Sequence, residues 1–185
     1  KVNLFKEINL NPQKKTISFF GGESHQKGFP IFLEIIKKLD SKFKNKFNYL
    51  IVGKIKEKKK FLDLNLESKT TILNFNNFVD DLIQTSDIII FPSKNEGFGR
   101  VMIEAMLLKT YFIVSNSGAH NELIINNKNG FISKTNTSNE YVDIISKILK
   151  NKKKYNTIKD NALNFAKSKF SVQKYLVKIK KQYDD

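Results

Sequence analysis

With 185 residues, 40% of them hydrophobic, the chain has enough material for one domain with a substantial core, and no apolar run approaches the roughly 18 residues of a membrane span. It contains no cysteine, which excludes a disulfide framework and a thiolate metal site and suits a reducing compartment. The net charge is +15, but only Arg100 among the 33 basic residues is arginine. Specific nucleic-acid readers favour the planar fork of arginine, so the charge reads first as a lysine-rich solvated surface and second as an attraction to an anionic membrane surface, with no nucleic acid expected.

The chain does not begin with Met, and no signal-like segment opens it, so a piece of a longer protein is expected. Residues 1–15 read as a polar lead-in or linker with a break at Pro12, and residues 16–185 as the domain. TISFFGG is a short apolar run ending in two glycines, a buried strand followed by a tight turn. FPIFLEIIKKLDSKF places Ile31, Phe32, Ile35, Ile36 and Leu39 at helical spacing. FNYLIVGK is a second strand, the Lys-rich segment 54–68 a helix plus loop, TTILNF a third strand and VDDLIQTSD a short helix. DIIIFPS is nearly continuous in apolar residues and so reads as a strand buried on both faces at the centre of a parallel sheet. A helix over GFGRVMIEAMLLK, a strand at TYFIVS and a short sixth strand at NGFIS follow. Three closing helices start near Asn139, Tyr155 and Ser171, the last with Ser171 as its cap. The alternation predicts an α/β, doubly wound, Rossmann-like parallel sheet flanked by helices, with ligands bound beyond the carboxyl ends of its strands.

Three loops follow strands in that scheme: GGESHQKG, PSKNEGFG and SNSGAHNE. The second leads directly into a helix, so the N–H groups of Gly97, Phe98, Gly99 and Arg100 form an anion site suited to a phosphate, to which Lys27 can add a full charge. Glu96 lies before that helix and Glu104 within it. Counted as helical steps, eight positions give about 12 Å of rise, which lets two carboxylates touch different parts of an elongated ligand. That is too long for the two-carboxylate geometry of a glycosidase, which needs about 5–9.5 Å. Taken singly, Glu96 can serve the helix dipole, Glu104 can be a surface acid, and Gly97 and Gly99 can serve only the turn.

The joint pattern resembles the C-terminal domain of a retaining glycosyltransferase of family four, with the GT-B architecture. FFGGESHQKGF, LIVGK, FVDDLIQTSDIIIFPSKNEGFGRVMIEAM, SGAHNEL, NGFI and FSVQKY carry the likeness, from about Thr16 to the C-terminus. The resemblance implies a donor-binding half whose N-terminal acceptor domain is absent from this chain. It implies that Glu96 lies by the donor sugar and supports charge at its anomeric carbon, and that Lys27 neutralises the diphosphate leaving group. Gly97, Phe98 and Gly99 would contact the sugar hydroxyls and distal phosphate, Glu104 the ribose, and Gly21, Gly22 and Arg100 complete the donor contacts. No cofactor and no metal are expected. The partners implied are a nucleoside diphosphate sugar and a glycan or lipid-linked acceptor, at a cytoplasmic location with peripheral contact at the inner membrane face. His25 and His120 read as ordinary loop residues.

Two positions depart from the family pattern. Gly22 stands where an arginine is expected, removing one of two phosphate-binding cations. Lys109-Thr110-Tyr111 stands where Gly-x-Pro is expected, which predicts a changed turn. The first departure keeps open a non-catalytic nucleotide-sugar-binding module. The charge keeps open a basic interaction domain for anionic membrane or nucleic acid. A GT-B epimerase is a further alternative.

Overall fold

A computed structural model of the chain describes residues 2–56, 66–74, 78–97 and 99–170. Phe98, most of the Lys-rich 54–68 segment and the helix expected from Ser171 lie outside the described residues. Among those described, six strands form one sheet: β1 Lys15–Phe20, β2 Phe47–Val52, β3 Thr70–Leu73, β4 Ile88–Phe91, β5 Tyr111–Ser115 and β6 Phe131–Ser133. Their spatial order is β3-β2-β1-β4-β5-β6, and every neighbouring pair is parallel. The helices are α1 Val2–Glu7, α2 Phe29–Phe43, α3 Val79–Thr85, α4 Arg100–Leu107, α5 His120–Leu123, α6 Ser138–Lys150 and α7 Lys152–Lys169.

Alternation along each strand sends side chains to two separate cores. Phe19, Tyr49, Ile51, Ile90 and Ile113 pack with α2 and α6 on one face. Phe20, Leu50, Val52, Ile89 and Val114 pack with α3 and α4 on the other. Helix α7 straddles the two, with Ile158 in the first core and Ala162 and Ala166 in the second. Two covered faces explain why β4 reads as a nearly continuous apolar run. In α2, Phe29, Phe32, Ile35, Ile36 and Leu39 are all buried, and the ring of Phe32 stacks on Phe19 at 5.0 Å between centroids. Pro30 falls in the first turn, where its missing N–H costs nothing.

Two expectations change. The lead-in does not hang free: it contains α1, Leu10 is buried, and Asn48 donates its amide to the Asn11 carbonyl at 2.8 Å. Thr71 donates its hydroxyl to the Ile8 carbonyl at 3.0 Å, which ties the segment to the sheet edge. The turn after α4 also keeps the backbone that glycine prefers. Lys109 adopts φ 55°, its N–H bonds the Met106 carbonyl at 3.2 Å, and the Thr110 N–H bonds the Ala105 carbonyl at 3.0 Å. That pair of bonds is a Schellman closure with lysine at the left-handed position.

The strand order reverses direction between β1 and β4. A crevice therefore opens beyond their carboxyl ends, at the switch point where doubly wound sheets bind ligands. The loops 21–28 and 92–99 leave the sheet on either side of it.

Candidate functional site

Lys27 and Glu96 lie 69 residues apart in the chain and meet at this crevice. The Lys27 ammonium donates to both carboxylate oxygens of Glu96 at 2.8 Å. The Glu96 side chain is 9% exposed and that of Lys27 44%, so the carboxylate is anchored inside and the ammonium faces outward. The Lys94 N–H bonds the Gln26 carbonyl at 2.9 Å and stitches the two loops together. A third loop grips Glu96 from behind. The Ala119 N–H bonds the Glu96 carbonyl at 3.0 Å, and Gly118, at φ 53°, passes so close that a Cβ there would lie 2.3 Å from that oxygen. Only glycine fits that approach.

Helix α4 begins beside this pair. Gly99 is its N-cap in the left-handed region, at φ 66°, with no side-chain cap. Among the described residues, and setting aside its chain neighbours, no heavy atom lies within 4 Å of where a Cβ on Gly97 would stand, which leaves open space ahead of the helix's free N–H groups. Arg100 is the first helical residue and is exposed. Only the steps from Arg100 to Glu104 are helical, so the 12 Å rise obtained by counting all eight positions does not apply. Glu104 is part-buried, and burial, followed by the charge of Asp80, raises its carboxyl above the ordinary range, with Arg100 opposing.

Gly22 explains its own departure from the family pattern. It adopts φ +56°, and a Cβ there would lie 2.7 Å from the Lys54 carbonyl oxygen and 2.9 Å from the Lys54 nitrogen. The loop after β1 is pressed against the loop after β2, and an arginine has no place at this position. Gly21 is the adjoining residue, its N–H bonded to the Val52 carbonyl at 3.0 Å.

Sequence reasoning missed the polar cluster under Glu96. His120 is 1% exposed, whereas His25 is exposed. The Nδ1 of His120 lies 3.1 Å from the Ser115 carbonyl, which can only accept, so Nδ1 carries the proton and Nε2 presents a lone pair. That Nε2 and the Ser93 hydroxyl are buried and have no partner among the described residues. Burial holds the imidazole below its ordinary pKa; Lys27 adds to this, while the Ser115 bond and Glu96 oppose it. A lone histidine in a loop motif carries no sign of this, because the burial comes from β4 and β5.

Glu140 was also not foreseen. It accepts from the Lys134 and Thr135 N–H groups at 2.9 and 2.8 Å and from the Ser133 and Thr135 hydroxyls at 2.8 and 2.7 Å. Burial alone would raise its carboxyl, but these bonds outweigh it and hold the pKa at about 2. The turn it clamps delivers the Asn136 amide to the Pro92 carbonyl at 3.3 Å, behind the Glu96 loop.

Residues 1–165 match the family described as glycosyl transferases group 1. The chain belongs to that family. It is 29% identical over 186 residues to an uncharacterized glycosyltransferase of Methanocaldococcus jannaschii, covering 97% of this chain and 51% of the relative. It is 28% identical over 123 residues to the UDP-Gal:alpha-D-GlcNAc-diphosphoundecaprenol alpha-1,3-galactosyltransferase of Escherichia coli, covering 66% of this chain and 32% of that protein. The crystal structure of Anabaena HepE in complex with UDP and glucose superimposes with a TM-score of 0.85 at 23% identity, covering 98% of this chain and 51% of that one. This likeness shows that the fold is that of GT-B glycosyltransferases. The chain thus spans about half the length, or less, of the curated relatives it matches. Among the described residues, no helix is long and apolar enough to cross a membrane.

Proposed function

We propose that the chain is the donor-binding half of a retaining glycosyltransferase, taking a nucleoside diphosphate sugar and passing the sugar to a glycan or lipid-linked acceptor. The observation that carries this reading is the Lys27–Glu96 pair at the β1/β4 switch point, facing open space at Gly97 and the start of α4. The UDP bound to HepE and the diphosphoundecaprenol in the Escherichia coli relative's name support a UDP sugar and a lipid-linked acceptor as the first to test.

In this reading the diphosphate lies between the Lys27 ammonium and the N–H groups at Gly99 and Arg100, where charge developing on the leaving group is stabilised. Donor arrival draws Lys27 from Glu96 toward the phosphate. The freed Glu96 carboxylate then faces the sugar and supports positive charge at its anomeric carbon. Glu104, Arg100, Gly21, Gly22 and Phe98 complete the donor contacts, with Glu104 on the ribose. The neutral His120 offers its Nε2 lone pair to a polar group of the donor or to water. The bond from the anomeric carbon to the diphosphate breaks with its electrons going to the phosphate. The acceptor hydroxyl oxygen bonds from the same face, positioned by the acceptor half, and its proton passes to the departing phosphate oxygen. Neither step calls on a cofactor or a metal. The lysine-rich surface fits peripheral docking on an anionic inner leaflet, and salt-sensitive co-sedimentation with phosphatidylglycerol vesicles tests that part.

Gly22 favours a second reading, a nucleotide-sugar-binding module without turnover, because one expected cation is absent. Lys54, whose backbone abuts Gly22 and whose side chain is exposed, brings a replacement charge to the same loop. Calorimetry with UDP, GDP, ADP and their sugar conjugates separates the readings from the alternatives. Selective binding of one nucleotide, weakened about tenfold or more by Lys27→Ala and by Glu104→Ala, is expected. Binding without transfer in the presence of the acceptor half supports the module. No binding by folded protein contradicts both.

A further inference from the structure

We infer that a second anion site lies at the opposite end of the sheet, in a lysine-lined cavity that takes a phosphate-class group, a phosphomonoester or diphosphate, carried on a partly apolar body. The cavity holds about 530 Å³ and opens at the amino ends of the strands, where Lys15, Ile88 and Tyr111 begin β1, β4 and β5. It is therefore separated from the crevice of Lys27 and Glu96 by the length of the sheet, and the inference does not rest on the donor reading.

Lys14, Lys15, Lys109, Lys152 and Lys159 line this cavity. Asp87, in the same wall, is already engaged by the Lys15 ammonium at 2.9 Å and by the Thr16 N–H at 3.0 Å. Asp160 is engaged by Lys109. Among the described residues no carboxylate pairs with Lys14, Lys152 or Lys159. Lys14 donates to the Asn45 side chain. Lys159 stands 4.6 Å over the Tyr111 ring.

Two independent features then make Lys152 costly where it is. Lys152 is exposed at the cavity rim, where partial burial first, then the adjoining Lys15 and last Lys159 hold its ammonium below the ordinary pKa, with Asp87 opposing. It also opens α7, an 18-residue helix whose first turn is Lys152, Lys153 and Lys154, with no acid and no side-chain cap on Asn151. Cations at a helix N-terminus oppose the macrodipole. The carbonyl end of α4 gives Lys109 a structural reason for its place, but it gives Lys152 none. A bound anion offsets the like-charge contact and the basic helix start together.

The chemistry selects the ligand class. Several ammonium groups on flexible stems suit a compact multivalent oxyanion, whereas a planar carboxylate is matched better by arginine forks, and Arg100, the only arginine, is at the other end. The volume falls in the range of about 300–1,000 Å³ usual for small-molecule sites. Phe5, Leu108 and Ile148 supply apolar wall beside the lysines.

The test is titration of the full chain with inorganic pyrophosphate at constant ionic strength, in wild type, in Lys27→Ala and in Lys152→Ala/Lys159→Ala. Binding that survives Lys27→Ala and weakens about tenfold in the double variant is expected. The ligand-free double variant should melt at the wild-type temperature or above it, since relief of like-charge contact is not what loss of a merely structural pair produces. Pyrophosphate binding unaffected by the double variant, or no saturable binding in Lys27→Ala, overturns the site. A parallel arm uses phosphatidylglycerol against phosphatidylcholine vesicles. Vesicle binding lost with Lys152 and Lys159 supports the site with a lipid headgroup as the source. Pyrophosphate binding alone supports it with a free phosphate compound.

Discussion

Lys27 and Glu96 can be tested for coupling before any ligand is added. Removing the ammonium leaves a carboxylate that is 9% exposed without its partner, which costs about 1–3 kcal/mol given that Lys27 itself is half in solvent. Chemical denaturation should show Lys27→Ala destabilised by that amount. Lys27→Ala/Glu96→Gln should recover most of the loss, because the stranded charge is gone. Additive losses would show that the two groups do not depend on each other. Glu140 gives a pH prediction. Its folded pKa of about 2 lies below the ordinary 4.5. The unfolded chain therefore takes up its proton first as pH falls, and the contribution is full above about 4.5 and lost as pH drops toward 2. Glu140→Gln should flatten stability across that window and lower it by roughly 1.5–3 kcal/mol at neutral pH. An unchanged profile would contradict the clamp. Neither group could be weighed from sequence. Lys27 and Glu96 were nameable through their motif, but a contact spanning 69 residues has no local signal, and Glu140 reads as an ordinary first-turn acid.

At the scale of elements the sequence was legible wherever burial imposed a period. Helix α2 was read with its observed ends because five buried positions recur on one face between Gly28 and the Lys44–Asn45 turn. The apolar run at β4 placed it in the sheet's interior, between β1 and β5. Helix α1 was missed because VNLFKE is too short and too mixed to show a face, and Leu10 is buried by the fold rather than by its neighbours in sequence. The turn after α4 was misread because residue identity was taken for conformation: lysine can occupy the left-handed position at a cost of order 1 kcal/mol. Lys109→Gly should therefore raise stability by about 0.5–1 kcal/mol, less the small loss of an exposed ion pair with Asp160. A fall in melting temperature would show that the ion pair outweighs the backbone strain.

For the whole molecule, the parallel sheet separates two chemically different ends. Its carboxyl edge gathers glycine loops, a buried carboxylate and the start of α4. Its amino edge gathers lysines from several segments that lie far apart in sequence. The first end was visible beforehand because each part sits in a loop directly after a strand. The second was not, because its lysines are scattered among many others and only the fold separates clustered ones from merely solvated ones. The central claim is that the carboxyl end holds a nucleotide sugar. The most direct test is amide chemical-shift mapping of the isotopically labelled chain during titration with UDP, followed by GDP and ADP. Saturable shifts centred on Gly21, Lys27, Gly97, Gly99 and Arg100 are predicted for one nucleotide. Shifts confined to the lysine-lined end, or none that saturate with any of the three, would contradict the claim.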